Sequence, residues 1–260
     1  FTAEVSRSLR VCEGAITVFD GMQGVETQSE TVWMQANQYK IPRLGFINKM
    51  DRPGAVLETT VDSIRKRLRS EPLLLNVPSD DSYQLKSLID LPSLTVQTFD
   101  ESGKEVTIEA AADCGDAIAE RALFYRAQLI EQLANYHDEL ADEFLAGKEA
   151  GEIDEALIHQ AVFEAVNLHG AVGLYCGSAL KNKGIQPLIE GAIRYIPSPE
   201  NVRPLATDAD GTTVTLEAAK KKPLRALAFK VVSDRDKGMI TFFRVYQGML
   251  KNRQKLMITN

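Results

Sequence analysis

Residues 14–19 (Gly-Ala-Ile-Thr-Val-Phe) and 43–47 (Arg-Leu-Gly-Phe-Ile) are short apolar runs without the alternation of a half-wetted strand. Each reads as a strand covered on both faces, and each ends in loop-forming residues, Asp20-Gly21 and Asn48-Lys49. Between them, Thr27 and Glu30 have capping-box spacing. The helix after Thr27 puts Val32, Ala36 and Tyr39 on one side and stops before Pro42. Strand, helix and strand within residues 14–47 make a βαβ unit, which requires a parallel sheet and a right-handed crossover. Ligands of such sheets gather beyond the carboxyl ends of the strands. The residues just after Ile47 are therefore the first candidates for a binding site.

The remaining chain extends this α/β rhythm and then leaves it. Val5, Leu9 and Cys12 mark an amphipathic helix near the start, and Leu57, Val61, Ile64 and Leu68 mark another that ends at Pro72. From Leu73-Leu74-Leu75 onward the texture is β-rich: residues 94–99 and 106–108 flank Asp100-Glu101-Ser102-Gly103, a hairpin turn. An inserted β-rich subdomain is expected over residues 71–115. The rhythm resumes with a helical stripe of Ile118, Ala122, Tyr125, Leu129 and Leu133, and a second of Leu157, Ala161, Ala165 and Leu168. Residues 171–176 read as a third buried strand, ending in Gly177-Ser178-Ala179. Ile185, Leu188, Ile189, Ala192, Ile193 and Ile196 form one face of a helix that Pro197 and Pro199 stop. Residues 201–222 are polar and without period, so a linker is expected. Beyond them, 224–232 and 239–246 suggest a hairpin around residues 234–238. The expected organisation is one domain over 1–200, the linker 201–222, and the start of a small β-barrel over 223–260, too short to be complete by itself.

Charge and composition remove several functions. A net charge of −6 and a pI near 5.3 argue against a bulk electrostatic nucleic-acid binder, although a local basic patch could still touch RNA. Cys12, Cys114 and Cys176 are widely spaced and read as reduced thiols; His137, His159 and His169 form no ligand constellation. No run of 18 apolar residues occurs, so neither a membrane span nor a membrane partner is expected. The basic run Arg65, Lys66, Arg67 and Arg69 reads as a solvated helix face before it reads as an RNA contact. Lys220-Lys221-Lys222 reads as a hydrated linker end, Asp138, Glu139, Asp142 and Glu143 as an exposed helix face, and Trp33 and Met34 as packing.

The chemistry lies at two strand ends. Asn48-Lys49-Met50-Asp51 follows one strand and Ser178-Ala179-Leu180-Lys181 another, so both loops should open on one rim. A carboxylate there can accept two hydrogen bonds from guanine N1–H and the exocyclic amine, the role given to Asp51. Adenine lacks both donors and would leave the buried charge unmatched. Lys49 can lay its methylene stem over the base with its ammonium in water. Asn48 can bridge the loops, Ser178 can brace Asp51, Ala179 can offer its N–H to the guanine carbonyl, and Lys181 can flank the base from the other side.

With those loops in place the chain resembles the middle of a translational GTPase of the elongation factor G family. The resemblance is carried by residues 4–14 (Glu-Val-Ser-Arg-Ser-Leu-Arg-Val-Cys-Glu-Gly), 24–33 (Gly-Val-Glu-Thr-Gln-Ser-Glu-Thr-Val-Trp), 46–53 and 176–184 (Cys-Gly-Ser-Ala-Leu-Lys-Asn-Lys-Gly). It implies a P-loop-NTPase-like parallel sheet with helices on both faces, the insert as the family's extra subdomain, and residues 223–260 as the opening of its barrel domain. It further implies GTP as ligand, Mg²⁺ in the whole protein, and the ribosome with its rRNA as partner. Residues 63–75, 184–188 and 226–232 resemble most the mitochondrial ribosome-releasing branch. That branch implies recycling of ribosomes, a recycling factor as partner and a mitochondrial matrix location. A translocating factor, with a bacterial or other cytoplasmic location, is the alternative.

The family's Gly-rich loop ending in Lys-Ser/Thr, its switch Thr and its Asp-x-x-Gly-His segment do not occur in these 260 residues. Catalytic and metal-binding residues are therefore expected outside this stretch, which by itself should not hydrolyse GTP. Two other readings compete: a guanine-nucleotide protein that delivers aminoacyl-tRNA or signals, against which the insert and the long helices speak, and a non-catalytic guanine-nucleotide-binding module.

Overall fold

A computed structural model describes residues 2–100, 103, 105–202, 204–208 and 210–257. The chain begins with α1 (Thr2–Leu9), β1 (Ala15–Asp20), α2 (Thr27–Gln38), β2 (Arg43–Asn48) and α3 (Leu57–Ser63), which runs on into a π-helical turn, Ile64–Leu68. Next come β3 (Pro72–Leu74), β4 (Asn76–Pro78), β5 (Ser87–Asp90), β6 (Thr95–Phe99) and β7 (Val106–Ala110). Then follow α4 (Asp116–Leu133), α5 (Asp138–Leu145), α6 (Glu155–Leu168), β8 (Val172–Cys176) and α7 (Ile185–Tyr195). The last elements are β9 (Leu205–Thr207), β10 (Thr213–Thr215), β11 (Arg225–Asp234) and β12 (Gly238–Gln247). They fall into two compact units, Gly14–Ile196 and a smaller one made of Phe1–Glu13 with Pro197–Asn260.

The larger unit is α/β. Its first sheet has the order β1-β2-β8-β3 with every pairing parallel, as the βαβ reading requires. β8 is buried along its whole length and β2 up to Asn48. β1 differs from expectation: Ile16 is 42% and Val18 57% exposed, because β1 is the outermost strand and one of its faces is open. β3 differs too. The leucine run at 73–75 reads from sequence as part of the insert, but Leu73 and Leu74 pair in parallel with Gly173 and Leu174, extending the first sheet. The inserted sheet begins one strand later and is antiparallel, in the order β4-β5-β6-β7. Of the turn expected at 100–103 between β6 and β7, Glu101 and Ser102 lie outside the described residues.

Helix phases are set by packing. In α2 the buried residues are Trp33 and Ala36, while Val32 is 42% exposed. Trp33 turns inward, where the Arg43 guanidinium lies 4.0 Å above its ring and the tilted Phe19 ring is 6.1 Å away. Thr27 is the first helical residue rather than the cap: Glu26 holds the N-cap position, and its side chain makes no cap bond. α4 buries Ala122, Leu129, Ile130 and Leu133 together with Arg126, whose guanidinium donates to the carbonyls of Pro92 (2.8 Å) and Ile153 (2.6 Å). His137 is buried as the N-cap of α5, its Nδ1 accepting from Leu140 N–H.

The smaller unit contains α1 and two antiparallel hairpins, β9–β10 and β11–β12. Residues 201–222 are thus not a plain linker: Leu205–Thr207 pairs with Thr213–Thr215, and Leu216 is buried behind them. α1 groups here rather than with the domain expected over 1–200, and its Glu4 pairs with Lys230 at 2.8 Å. β11–β12 is a long ribbon whose Val231, Met239 and Phe242 stay exposed. No described helix is long and apolar enough to cross a membrane.

Candidate nucleotide site

β2 and β8 are parallel neighbours with Ile47 opposite Cys176, so the loops after them leave the sheet at one edge. Backbone bonds join them at once: Met50 N–H donates to Gly177 O (3.0 Å) and Gly177 N–H to Ile47 O (3.0 Å). β1 reaches the same edge, with Asp20 opposite Asn48 and Gly21 N–H donating to Asn48 O at 2.8 Å. The second loop is closed on itself by paired bonds between Ser178 and Lys183 (2.9 and 3.0 Å). Two glycines make that closure feasible. A Cβ on Gly177 would sit 2.2 Å from the Lys183 carbonyl oxygen, and Gly184 takes φ +79° with the Cys176 carbonyl 2.5 Å from where its Cβ would be.

Asp51 sits within this frame with its side chain 12% exposed, and the Lys181 ammonium lies 3.1 Å from Oδ2. Burial works to raise its pKa, but the hydrogen bond from Ser178 and the Lys181 charge together hold it below the ordinary carboxylate value. The carboxylate is thus ionised and oriented, the state needed to accept two parallel hydrogen bonds from a guanine edge. Ser178 itself is 1% exposed, so its brace is sheltered from water.

Asn48 bridges the loops: its Oδ1 accepts from Lys49 N–H (2.8 Å) and from Ala179 N–H (2.9 Å). That second bond uses the N–H expected to face the guanine carbonyl, so here Ala179 locks the loops together. Met50 is 7% exposed and packs under the loop, while Leu180 is 89% exposed. Lys49 adopts φ +66°, and its Nζ lies 2.5 Å from Asp20 Oδ2.

Several supports of the site escape sequence reasoning. Asp20 reads only as a turn residue, yet it anchors Lys49. Lys183 is 6% exposed, and its ammonium donates to the carbonyls of Leu85 (2.9 Å) and Gln84 (3.3 Å), 5.9 Å from the Phe99 ring. Asn182 donates to Gly103 O at 3.0 Å. The buried Asn76 amide accepts from Cys176 N–H (2.7 Å) and donates to Cys176 O (3.3 Å). Through these contacts the insert grips the loop that braces Asp51. An Asn after a leucine run and a Lys inside a polar loop were the available signals, and both look like surface residues.

Of the basic run, three side chains have acidic neighbours, while Met34, expected as packing, is exposed. Arg65 and Lys66 pair with Asp62, and Arg67 with Glu30 at 2.6 Å. Among the described residues no group of three His, Cys, Asp or Glu side chains could hold a metal ion.

Comparison with known proteins gives the family. Residues 1–198 match the family described as Elongation factor Tu GTP binding domain. Elongation factor G 2 of Syntrophus aciditrophicus is 41% identical over 258 residues, and Elongation factor G 2 of Desulfotalea psychrophila 40% over 259. Each alignment covers 98% of this chain but 37% of the relative, so the chain spans well under half their length. A crystal structure from Thermus thermophilus matches 96% of this chain and 34% of its own with a TM-score of 0.75; at 22% identity this is a likeness of fold. With residues 1–198 inside the family's profile, the chain belongs to the elongation factor Tu GTP-binding-domain family.

Proposed function

We propose that this chain carries the guanine-reading side of a GTP-hydrolysing translation factor of the elongation factor G type that acts on the ribosome. The observation that carries the reading is Asp51, an ionised carboxylate at a strand end, held by Ser178 and Lys181 between loops that Asn48 ties together. In the whole protein GTP, with Mg²⁺, would favour the ribosome-bound conformation, and hydrolysis would release it. Residues 48–51 and 178–181 choose the base. Phosphate chemistry belongs to the family's Gly-rich and switch segments, which do not occur in this sequence.

The test is Asp51→Asn in the full-length protein, with affinities measured for GTP and xanthosine triphosphate. An amide at 51 donates to the xanthine 2-carbonyl and opposes the guanine amine, so preference should move to the xanthine nucleotide. An unchanged preference would show that Asp51 does not read the base.

Within this class we place the protein in the mitochondrial ribosome-releasing branch, on the resemblance of residues 63–75, 184–188 and 226–232. A ribosome recycling factor is then its partner and the matrix its location. The names of the two bacterial relatives favour a second reading, a translocating factor of bacterial type. Splitting of post-termination ribosomes by the full-length protein with a recycling factor, without tRNA–mRNA translocation, separates the two.

A further inference from the structure

Asp20 is a carboxylate at the same rim that base recognition does not use. It is the last residue of β1, opposite Asn48, and its side chain is 15% exposed. Met22 N–H donates to its Oδ1 at 2.9 Å, which orients the carboxylate and leaves Oδ2 for the Lys49 ammonium. Lys49 is held in the left-handed region at φ +66°, where its side chain leaves the strand toward Asp20. Two separate ion pairs therefore stand at the strand ends: Asp20 with Lys49, and Asp51 with Lys181.

We propose that Asp20 is a positioning residue for nucleotide recognition, holding Lys49 so that its aliphatic stem forms a fixed wall for the purine and its ammonium stays off Asp51. The proposal rests on the guanine reading above. Lys49 is two residues from Asp51, which Lys181 already contacts, and a second ammonium on that carboxylate would leave fewer oxygen lone pairs for the base. Captured by Asp20, the lysine also enters the complex with its rotamer freedom already reduced, which lowers the ordering cost of binding. The Lys49 hydrogen bond, the largest influence on Asp20, keeps that carboxylate below its ordinary pKa, so the pair persists across physiological pH.

The experiment is a double-mutant cycle in the full-length protein, read by binding of a fluorescent N-methylanthraniloyl-GDP. Asp20→Asn keeps an oxygen for Met22 N–H and removes the charge; Lys49→Met keeps the stem and removes the ammonium. Asp20→Asn should weaken GDP binding about five- to tenfold, the scale of one hydrogen bond's net contribution. It should leave the guanine-over-xanthine preference intact and have no effect in the Lys49→Met background. Binding by Asp20→Asn within about twofold of wild type, or an equal loss in the Lys49→Met background, would overturn the positioning role. If Asp51→Asn switches the base while Asp20→Asn changes nothing, only this proposal falls. If Asp51→Asn fails to switch it, the base reading falls first, whatever Asp20 does.

Discussion

Lys183→Met tests whether the insert holds the nucleotide loop in place. Methionine keeps most of the lysine stem and tolerates the Phe99 ring, so the substitution opens no large cavity. It removes the ammonium that bridges the Leu85 and Gln84 carbonyls at 2.9 and 3.3 Å. Leu85 is 1% exposed, so its carbonyl loses a partner where water is scarce. A hydrogen bond from a charged donor contributes about 1.5–3 kcal/mol net. Gln84 is exposed, so its carbonyl can turn to water, and burial pulls the Lys183 pKa down, so losing the charge offsets part of the loss. The net loss is then about 1–2 kcal/mol, which for a unit of this size lowers Tm by about 2–8 °C. Thermal unfolding monitored by circular dichroism reads the stability. Amide hydrogen exchange at Ser178 and Lys183, which close the loop on each other, reads the local effect. Both amides should exchange faster, and GDP should bind more weakly, without a change in base preference. A Met variant with wild-type Tm and unchanged exchange at those amides would refute the idea that the insert supports the loop.

Two further outcomes rest on the same geometry. Asn48→Ala removes the acceptor of both Lys49 N–H and Ala179 N–H; because Ala179 is exposed and its N–H can turn to water, the cost in stability should be only about 1 kcal/mol. Its signature is faster exchange of the Ala179 amide, which Asn48→Asp, keeping an acceptor oxygen, should not show. Asp51 has a depressed folded pKa, so its contribution is complete above the unfolded carboxylate value and disappears as pH falls through the folded one. Guanine affinity should therefore be flat through mildly acidic pH and fail only below the ordinary carboxylate range. In Lys181→Met burial is opposed by Ser178 and a backbone hydrogen bond without the lysine charge, and the loss should move to higher pH; superimposable profiles would show that Lys181 does not set the charge of Asp51.

The parts of the fold legible in the sequence are those where many residues report one environment. β2 and β8 are covered on both faces, and their unbroken apolar runs say so. What escaped was decided by single contacts. The phase of α2 turns on Trp33 packing beneath Arg43, one residue away from the Val32 stripe that periodicity favours. β9 and β10 are three residues each with mostly exposed side chains, too short for any period to emerge. The leucine run that joined β3 to the first sheet carries no mark of which sheet will take it.

At the site the same division separates reading from holding. A residue that reads guanine must present particular atoms at a particular strand end, which restricts its identity and leaves a tetrapeptide in the sequence. A residue that holds a reader needs only to bring one donor or acceptor to the right point, and it can come from anywhere in the chain. Asp20 reaches Lys49 from another strand, Lys183 reaches the carbonyls at 84 and 85, and Asn76 clasps the end of β8. These contacts carry no local pattern, because each is defined by the meeting of two distant segments. The base-reading loops are thus stiffened by side chains that belong to neither motif. Substitutions among the holders should shift affinity with base preference retained, while substitutions at Asp51 should shift preference itself.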